Sequence, residues 1–385
     1  MLDQGRCYDG SRFHAPKPHI EVIGDAVMDR FIVPPQSAIQ GDSIVFENGI
    51  KYKMEFRGKR PGGNNLNMGA AAQADGAVVE AYTWLAKYDP STTVMRRDFK
   101  QHHVRLAHQD DRDPEHENST STILLGTGEP PILSEKQQRE HPFDPNRMTL
   151  KDADLFIVTS TSDFWKPPFD LVTKHALRNG KPYAFCPGSP QYELEDGNLP
   201  PEFWETLRYA TYFISNWKEA AKVTGKDPYN TTPEEMVTLI QEKGPREVVI
   251  TRSSQGVCAK SADGTFYETP SYATEVVDAT GGGDTFTGTY LTKRTKKVSI
   301  EDSLEAGQVV SAHVVRYVGG HSGIPSKKTV DVELKMIDPT MRTKINGERR
   351  IFEAAKPKSE SGIEVPQQPH IAIVTAGPEP AFAQP

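Results

Sequence analysis

Short apolar runs recur along this chain, each followed by a stretch that can coil. His19-Ile20-Glu21-Val22-Ile23-Gly24 reads as a strand ending on a Gly-Asp turn. Residues 155–158, 183–186, 212–214 and 248–250 are apolar, the pattern of parallel strands buried on both faces. Helical stretches alternate with them. Pro61-Gly62-Gly63 opens a run of small residues from Asn64 to Ala74, closed by Gly76, whose alanines favour helix. Thr232-Pro233-Glu234-Glu235 supplies an N-cap, a proline at the first helical position and acids in the first turn; Gly244 stops that helix. Ser299-Ile300-Glu301-Asp302 starts another, which the pattern carries to Gly319-Gly320. Residues 92–125 hold β-branched residues among charges (Thr92-Thr93-Val94, Ser121-Thr122-Ile123-Leu124-Leu125) and predict exposed strands around a polar turn. Strand and helix alternating in this way predict an α/β fold, a mostly parallel sheet covered by helices on both faces.

Composition narrows the function classes. The 385 residues hold 45 Lys+Arg against 52 Asp+Glu, a net charge of −7, so no basic excess marks a nucleic-acid binder. No apolar run approaches membrane-spanning length, and the first ten residues, MLDQGRCYDG, lack the basic start and apolar stretch of a secretory signal. Cys7, Cys186 and Cys258 are far apart with no C-x-x-C, which suits a reducing cytoplasm rather than a disulfide framework. Residues 1–17 read as a polar arm and 18–330 as the folded domain. From Ser326 the character changes, and residues 331–385 read as a Pro-rich extension, with six prolines in the last thirty positions. On this reading a chain ended near Asp338 keeps its fold. The strand-like stretch 370–374 is too short to define a second module, and the insert at 129–147 matches no recognisable pattern.

The segment from Val277 to Gly288 carries the chemistry: Val-Asp-Ala-Thr-Gly-Gly-Gly-Asp-Thr-Phe-Thr-Gly. Three glycines, Gly281, Gly282 and Gly283, stand between a strand and a segment that can continue as helix. Such a turn can aim several backbone N–H groups at one point beside the positive end of the helix dipole, an anion hole suited to phosphate. Asp284 at its lip would repel a phosphate. It makes sense as a base that takes the proton from a hydroxyl attacking the held phosphoryl group. The plainer alternative is a Gly-rich turn with a capping aspartate. No G-x-x-x-x-G-K-[ST] occurs, and no G-x-G-x-x-G follows the first strand, which argues against P-loop and dinucleotide-binding folds. His102, His103, His108 and His116 stand near Asp110, Asp111 and Asp113, but their spacing matches no zinc pattern and reads as a solvated charged stretch.

These motifs resemble those of the ribokinase-like (PfkB) carbohydrate kinases. The family's D-T-x-G-A-G-D is matched from Asp278 to Asp284, with Gly282 in the alanine place. Its Gly-Gly pair before an asparagine-bearing helix is matched by Gly62-Gly63-Asn64-Asn65-Leu66-Asn67, and its N-x-x-E by Asn216-Trp217-Lys218-Glu219. Three further segments resemble the heptose 7-phosphate kinase half of the bifunctional enzyme of ADP-heptose synthesis: residues 24–31, Arg60-Pro61-Gly62-Gly63 and Thr251-Arg252-Ser253-Ser254-Gln255-Gly256. The resemblance implies a three-layer α/β/α domain with a small β lid from parts of 31–60 and 88–125. It implies phosphoryl transfer from ATP, with Mg²⁺, to a hydroxyl of a sugar or sugar phosphate, such as O1 of heptose 7-phosphate. Ribose, fructose phosphate or a nucleoside as acceptor, or a non-catalytic binding protein on the same fold, are the rival readings.

Site roles follow from the same resemblance. Asp284 is the implied base and Gly281 to Gly283 the anion hole. Asp25, Asp29, Gly62, Gly63 and Asn67 would form the sugar pocket. For a phosphorylated sugar, Arg30, Arg57, Arg60 and Arg105 are candidates for its far phosphate, since guanidinium groups bind phosphate bidentately. Asn216 and Glu219 would order Mg²⁺-bound water and the nucleotide phosphates, with Thr251 and Ser253 near the nucleotide. Asp278, Thr280 and a loop at 319–323 are the implied place for K⁺. The resemblance also implies a homodimer through the lid and a cytoplasmic protein, with neither nucleic acid nor membrane as partner.

Overall fold

The computed structural model describes residues 16–349, apart from 42, 112–113, 127–129, 136–149, 162–165, 189–190, 192–198 and 273–274. In chain order its first half runs β1 (His19–Ile23), β2 (Val27–Val33), β3 (Ile39–Gln40), β4 (Ser43–Ile44), β5 (Glu55–Gly62), α1 (Asn64–Ala74), β6 (Val78–Ala86), α2 (Ser91–Gln101), β7 (Arg105–Asp111), β8 (Thr120–Leu124) and β9 (Ile132–Glu135). Next come β10 (Leu155–Thr159), α3 (Lys166–Arg178), β11 (Tyr183–Cys186), α4 (Pro201–Tyr209), β12 (Tyr212–Asn216), α5 (Trp217–Thr224), α6 (Pro233–Gln241) and β13 (Glu247–Thr251). The remainder is β14 (Val257–Lys260), β15 (Phe266–Thr269), α7 (Gly282–Thr295), α8 (Ile300–Val314), α9 (Lys327–Met336), β16 (Lys344–Ile345) and β17 (Glu348–Arg349).

The main sheet has 11 strands, ordered β17-β16-β15-β14-β13-β12-β11-β10-β1-β6-β7. From β7 to β13 neighbours run parallel; from β13 to β17 they are antiparallel. Alternation along the strands divides the core in two. Phe156, Val158, Phe185, Phe213, Val248 and Ile250 pack with α3, α4, α5 and α6 on one face. Leu155, Ile157, Ala184, Ile214 and Val249 pack with α1, α2, α7 and α8 on the other. This is the expected three-layer α/β/α architecture. The strand expectations at 19–23, 155–158, 183–186, 212–214 and 248–250 and the helices at 64–74 and after Thr232 all appear, because each was written in apolar runs or caps. Thr232 accepts the Glu235 N–H as N-cap.

Three expectations need correction. Thr92-Thr93-Val94 lie in α2, not in a strand: Thr92, Met95 and Phe99 are buried at helical spacing, and that period outweighs β-branching. The second sheet therefore draws nothing from 88–111. Its order is β5-β2-β8-β9, and β9 falls inside the unfamiliar insert. Helix α8 ends at Val314, short of Gly319.

The third correction concerns the end of the domain. Ser326 caps α9, and β16 pairs with β15, so the fold runs past residue 330. Glu305, 3% exposed, accepts the Thr343 N–H at 2.9 Å and pairs with Arg342. Thr343 also meets Thr269 Oγ1 at 2.8 Å. A chain ended after Asp338 leaves the Glu305 carboxylate buried without its cation. It is expected to lose about 3–5 kcal/mol relative to a chain ended after Arg349. Urea unfolding of the two truncations checks this; equal midpoints would contradict it. Residues 1–15 and 370–374 lie outside the described residues. Among the described residues no helix is long and apolar enough to cross a membrane.

Candidate active site

The glycine turn is built by a buried clamp. The N–H groups of Val277 and Asp278 both donate to Val315 O, at 2.8 and 3.1 Å. Asp278, 1% exposed, accepts the Thr280 N–H on Oδ1 at 3.0 Å and the Gly319 N–H on Oδ2 at 2.9 Å. That carboxylate ties the turn to the 319–323 loop. Only glycine fits next: Gly281 has φ +75°, and a Cβ there would lie 1.9 Å from Gly320 O. Helix α7 then begins at Gly282. Its first N–H groups have no acceptor within the helix, and its dipole adds positive potential at the same end. Gly283 is exposed, with nothing within 4 Å of where a Cβ would stand, so this end of the helix is open.

Asp284 sits in the first turn of α7 and is held from across the helix pair. Its Oδ1 accepts from Asn64 Nδ2 and its Oδ2 from Asn67 Nδ2, both at 2.9 Å. The two asparagines are three residues apart on α1, which brings them to one face of that helix. Burial raises the Asp284 pKa, and the two amides oppose the rise by favouring the charged form.

The first strand ends beside this carboxylate. Asp25 follows β1, its N–H donating to Ser160 O at 2.7 Å. Asp29 on β2 is 5% exposed, and its pKa is pushed up to about 8 by burial, then by the charges of Asp278 and Asp284. Asp29 Oδ2 would lie 2.0 Å from a Cβ on Gly62, so the glycine pair leaves room for the carboxylate where α1 begins; Gly63 is the N-cap of that helix, with φ +94°. Asp25, Asp29, Gly62, Gly63, Asn67 and Asp284 therefore converge at the carboxyl ends of β1 and the start of α1 and α7.

Asn216 and Thr251 stand in register at the carboxyl ends of β12 and β13, the edge where open α/β sheets bind ligands. Asn216 and Glu219 cap α5 reciprocally: Asn216 Oδ1 accepts the Glu219 N–H at 2.9 Å, and Glu219 Oε2 accepts the Asn216 N–H at 3.0 Å. Burial pushes the Glu219 pKa up to about 7, helped by the charge of Asp284. Ser253 opens a single 3-10 turn after β13 with φ 48°.

The pattern that defines the pfkB family of carbohydrate kinases matches residues 17–327. The chain belongs to that family. It is 23% identical over 319 residues to ribokinase from Haemophilus influenzae, covering 80% of this chain and 96% of that one. A putative ribokinase II from E. coli, solved in complex with ATP and Mg²⁺, superimposes with a TM-score of 0.66 at 17% identity, covering 83% of this chain and 100% of that chain. Arabidopsis thaliana ribokinase, complexed with ribose and ATP, gives 0.63 at 18% identity, covering 84% and 100%. The protein is thus a phosphotransferase on the ribokinase fold.

Not every residue expected in this pfkB site reaches it. Arg105 begins β7, at the amino ends of the parallel strands, and pairs with Glu80 at 3.6 Å. Its charge suggested a phosphate ligand, but the direction of the strand carries it to the far edge. Arg57 pairs with Glu55 on the exposed face of β5. Arg30 alternates with Asp29 on β2 and so points to the other side of the small sheet. Arg60 stands opposite Asp29 and lies against Gly319, where a Cβ would be 2.9 Å from Arg60 Cδ. Sequence reasoning assigned no role to Asn64, and it overlooked His321 and Asp98. His321 Nδ1 is 2.9 Å from Asn67 Oδ1, and His321 Nε2 is 2.7 Å from Asp98 Oδ2. Asparagines at i and i+3 inside a helix, where they are poor formers, were the available signal for Asn64. No local signal marks a histidine 254 positions from Asn67.

Proposed function

We propose that this kinase moves the γ-phosphoryl group of ATP to a hydroxyl of a sugar phosphate, with O1 of heptose 7-phosphate the acceptor. The observation that carries the transfer chemistry is the Asp284 carboxylate, anchored through both oxygens beside an open helix N-terminus. A carboxylate has roughly four acceptor positions, so two bonds to asparagine leave room for the acceptor hydroxyl. Asp284 takes the hydroxyl proton as the oxygen attacks. The N–H groups from Gly281 to Gly283 meet charge on the phosphoryl oxygens. Asp25, Asp29 and Asn67 orient the sugar, and Arg60, opposite Asp29 on β5, would meet its far phosphate.

Oxygen donors suit Mg²⁺, and the Glu219 carboxylate keeps acceptor capacity beyond its capping bond, so Glu219 would hold Mg²⁺ through water, with Asn216, Thr251 and Ser253 around the nucleotide. When bound there, Mg²⁺ would neutralise charge on the nucleotide phosphates. Among the described residues Thr280 Oγ1 is buried without a hydrogen-bond partner beside the Asp278 clamp, and a K⁺ ion held by Asp278 and Thr280 would satisfy it. The small sheet is proposed as a lid that excludes water. Phe56, Ile132 and Leu133 on it are 53–59% exposed, which favours pairing of two lids in a homodimer.

The test is ADP release across a panel of sugars and sugar phosphates. Turnover is expected with heptose 7-phosphate. Turnover of ribose or adenosine with none of heptose 7-phosphate would overturn the acceptor. Ribose is the second reading, favoured by likeness over nearly the whole length of the Haemophilus ribokinase.

A further inference from the structure

Away from the glycine turn, a second set of side chains comes together from distant parts of the chain. Asp98 on α2 and His102 at its C-cap share one helix face, four residues apart, with the His102 N–H still donating to Asp98 O. His321 reaches them from the loop after α8. One donor atom from each of the three lies within 4.8 Å of the other two. Asp98 Oδ2 is 2.7 Å from His321 Nε2, and the rings of His102 and His321 meet edge to face with centroids 4.7 Å apart.

The tautomer of His321 follows from its neighbours. The Asp284 carboxylate only accepts, so Asn67 must turn its NH₂ there and its Oδ1 towards His321. His321 Nδ1 therefore points a hydrogen at Asn67, and Nε2 faces the Asp98 carboxylate, which also only accepts, so an ion bound here would take the place of a hydrogen on Nε2. A metal-bound histidine has this arrangement, one nitrogen on the ion and the other N–H on an oxygen acceptor. All three residues line a cavity of about 490 Å³, together with Lys59, Arg60, His103 and Ser322, so a bound ion would keep an open side and would sit near two cationic side chains.

We propose that Asp98, His102 and His321 form a binding site for a divalent transition-metal ion, with an open position towards the cavity. Two imidazoles and one carboxylate select Zn²⁺, Co²⁺ or Ni²⁺ over Mg²⁺. The site is separate from the Mg²⁺ of phosphoryl transfer. Through His321 and Asn67 an ion here stands two hydrogen bonds from Asp284. The spacing of His102, His103, His108 and His116 gave no zinc pattern because the third ligand lies 223 positions from Asp98.

The test is direct binding to the full chain. Zn²⁺ titration calorimetry in millimolar Mg²⁺ and the visible d–d bands of added Co²⁺ should both report one ion per chain. His321→Gln keeps a donor for Asn67 yet removes the ligand; it and His102→Ala should each weaken binding by roughly 100-fold. His175→Ala, on α3 across the main sheet from the cavity, should bind as the parent does. Should either ligand variant fail to fold, Asp98→Asn reads the same site. No ion bound by the parent, affinity unchanged in the ligand variants, or an equal loss in His175→Ala would overturn the proposal. None of these readouts depends on which sugar the kinase uses.

Discussion

Replacing Asp284 with asparagine is expected to lower kcat by about 10²–10⁴-fold while the affinity for ATP stays close to that of the parent. The substitution preserves shape and removes the basic oxygen. One of the two asparagines now facing it must turn its amide. Asn64 is free to do so, whereas Asn67 is pinned by His321. The parent needs Asp284 ionised, and burial lifts its pKa above the usual carboxylate range. Activity should therefore rise with pH through that raised pKa, and the variant should lose this limb of the profile. Steady-state kinetics with a nucleotide-binding titration checks both. Unchanged turnover would remove Asp284 as the base.

The second large effect is expected at Gly281. Alanine there must hold φ near +75°, and its Cβ would collide with Gly320 O, a backbone atom that cannot swing aside. Strain and clash together are expected to cost roughly 2–4 kcal/mol, the range reserved for such named defects. Gly283→Ala is the control. Its Cβ enters open space, so stability should hold while the methyl group obstructs the phosphate and kcat falls. Thermal unfolding and turnover, measured on both, separate the roles. A Gly281→Ala protein as stable as the parent would show that the turn is not built as described.

The contrast between these glycines shows what was legible in the chain. The core strands were readable because each is an apolar run whose alternate residues fill opposite layers, as Phe156 and Ile157 do. The glycine turn was readable because three successive glycines before Asp284 have few other uses. Helix α2 was misread since Thr92-Thr93-Val94 has strand-like residues, while its helical signal is spread over Thr92, Met95 and Phe99. The strand at Lys344–Ile345 is two residues long and has no period to read; its pairing with β15 on one side and β17 on the other defines it. Arg105 shows the limit for sites. Charge suggests a phosphate ligand, but which end of a strand a residue occupies is set by the fold. The tie from Asp98 through His321 and Asn67 to Asp284 joins three distant segments, so no local pattern could announce it.

The central claim is that the amides of the glycine turn hold the phosphoryl group while Asp284 meets the acceptor hydroxyl. A crystal structure with ADP, aluminium fluoride and the acceptor sugar tests it most directly. The Gly282 N–H already donates to Ala279 O at 3.2 Å; the account predicts the N–H groups of Gly281 and Gly283 at about 2.7–3.1 Å from the fluoride ligands, and an Asp284 oxygen within hydrogen-bond reach of the sugar hydroxyl in line with aluminium. Amides turned away from the fluoride, or a sugar hydroxyl held by another base, would contradict it.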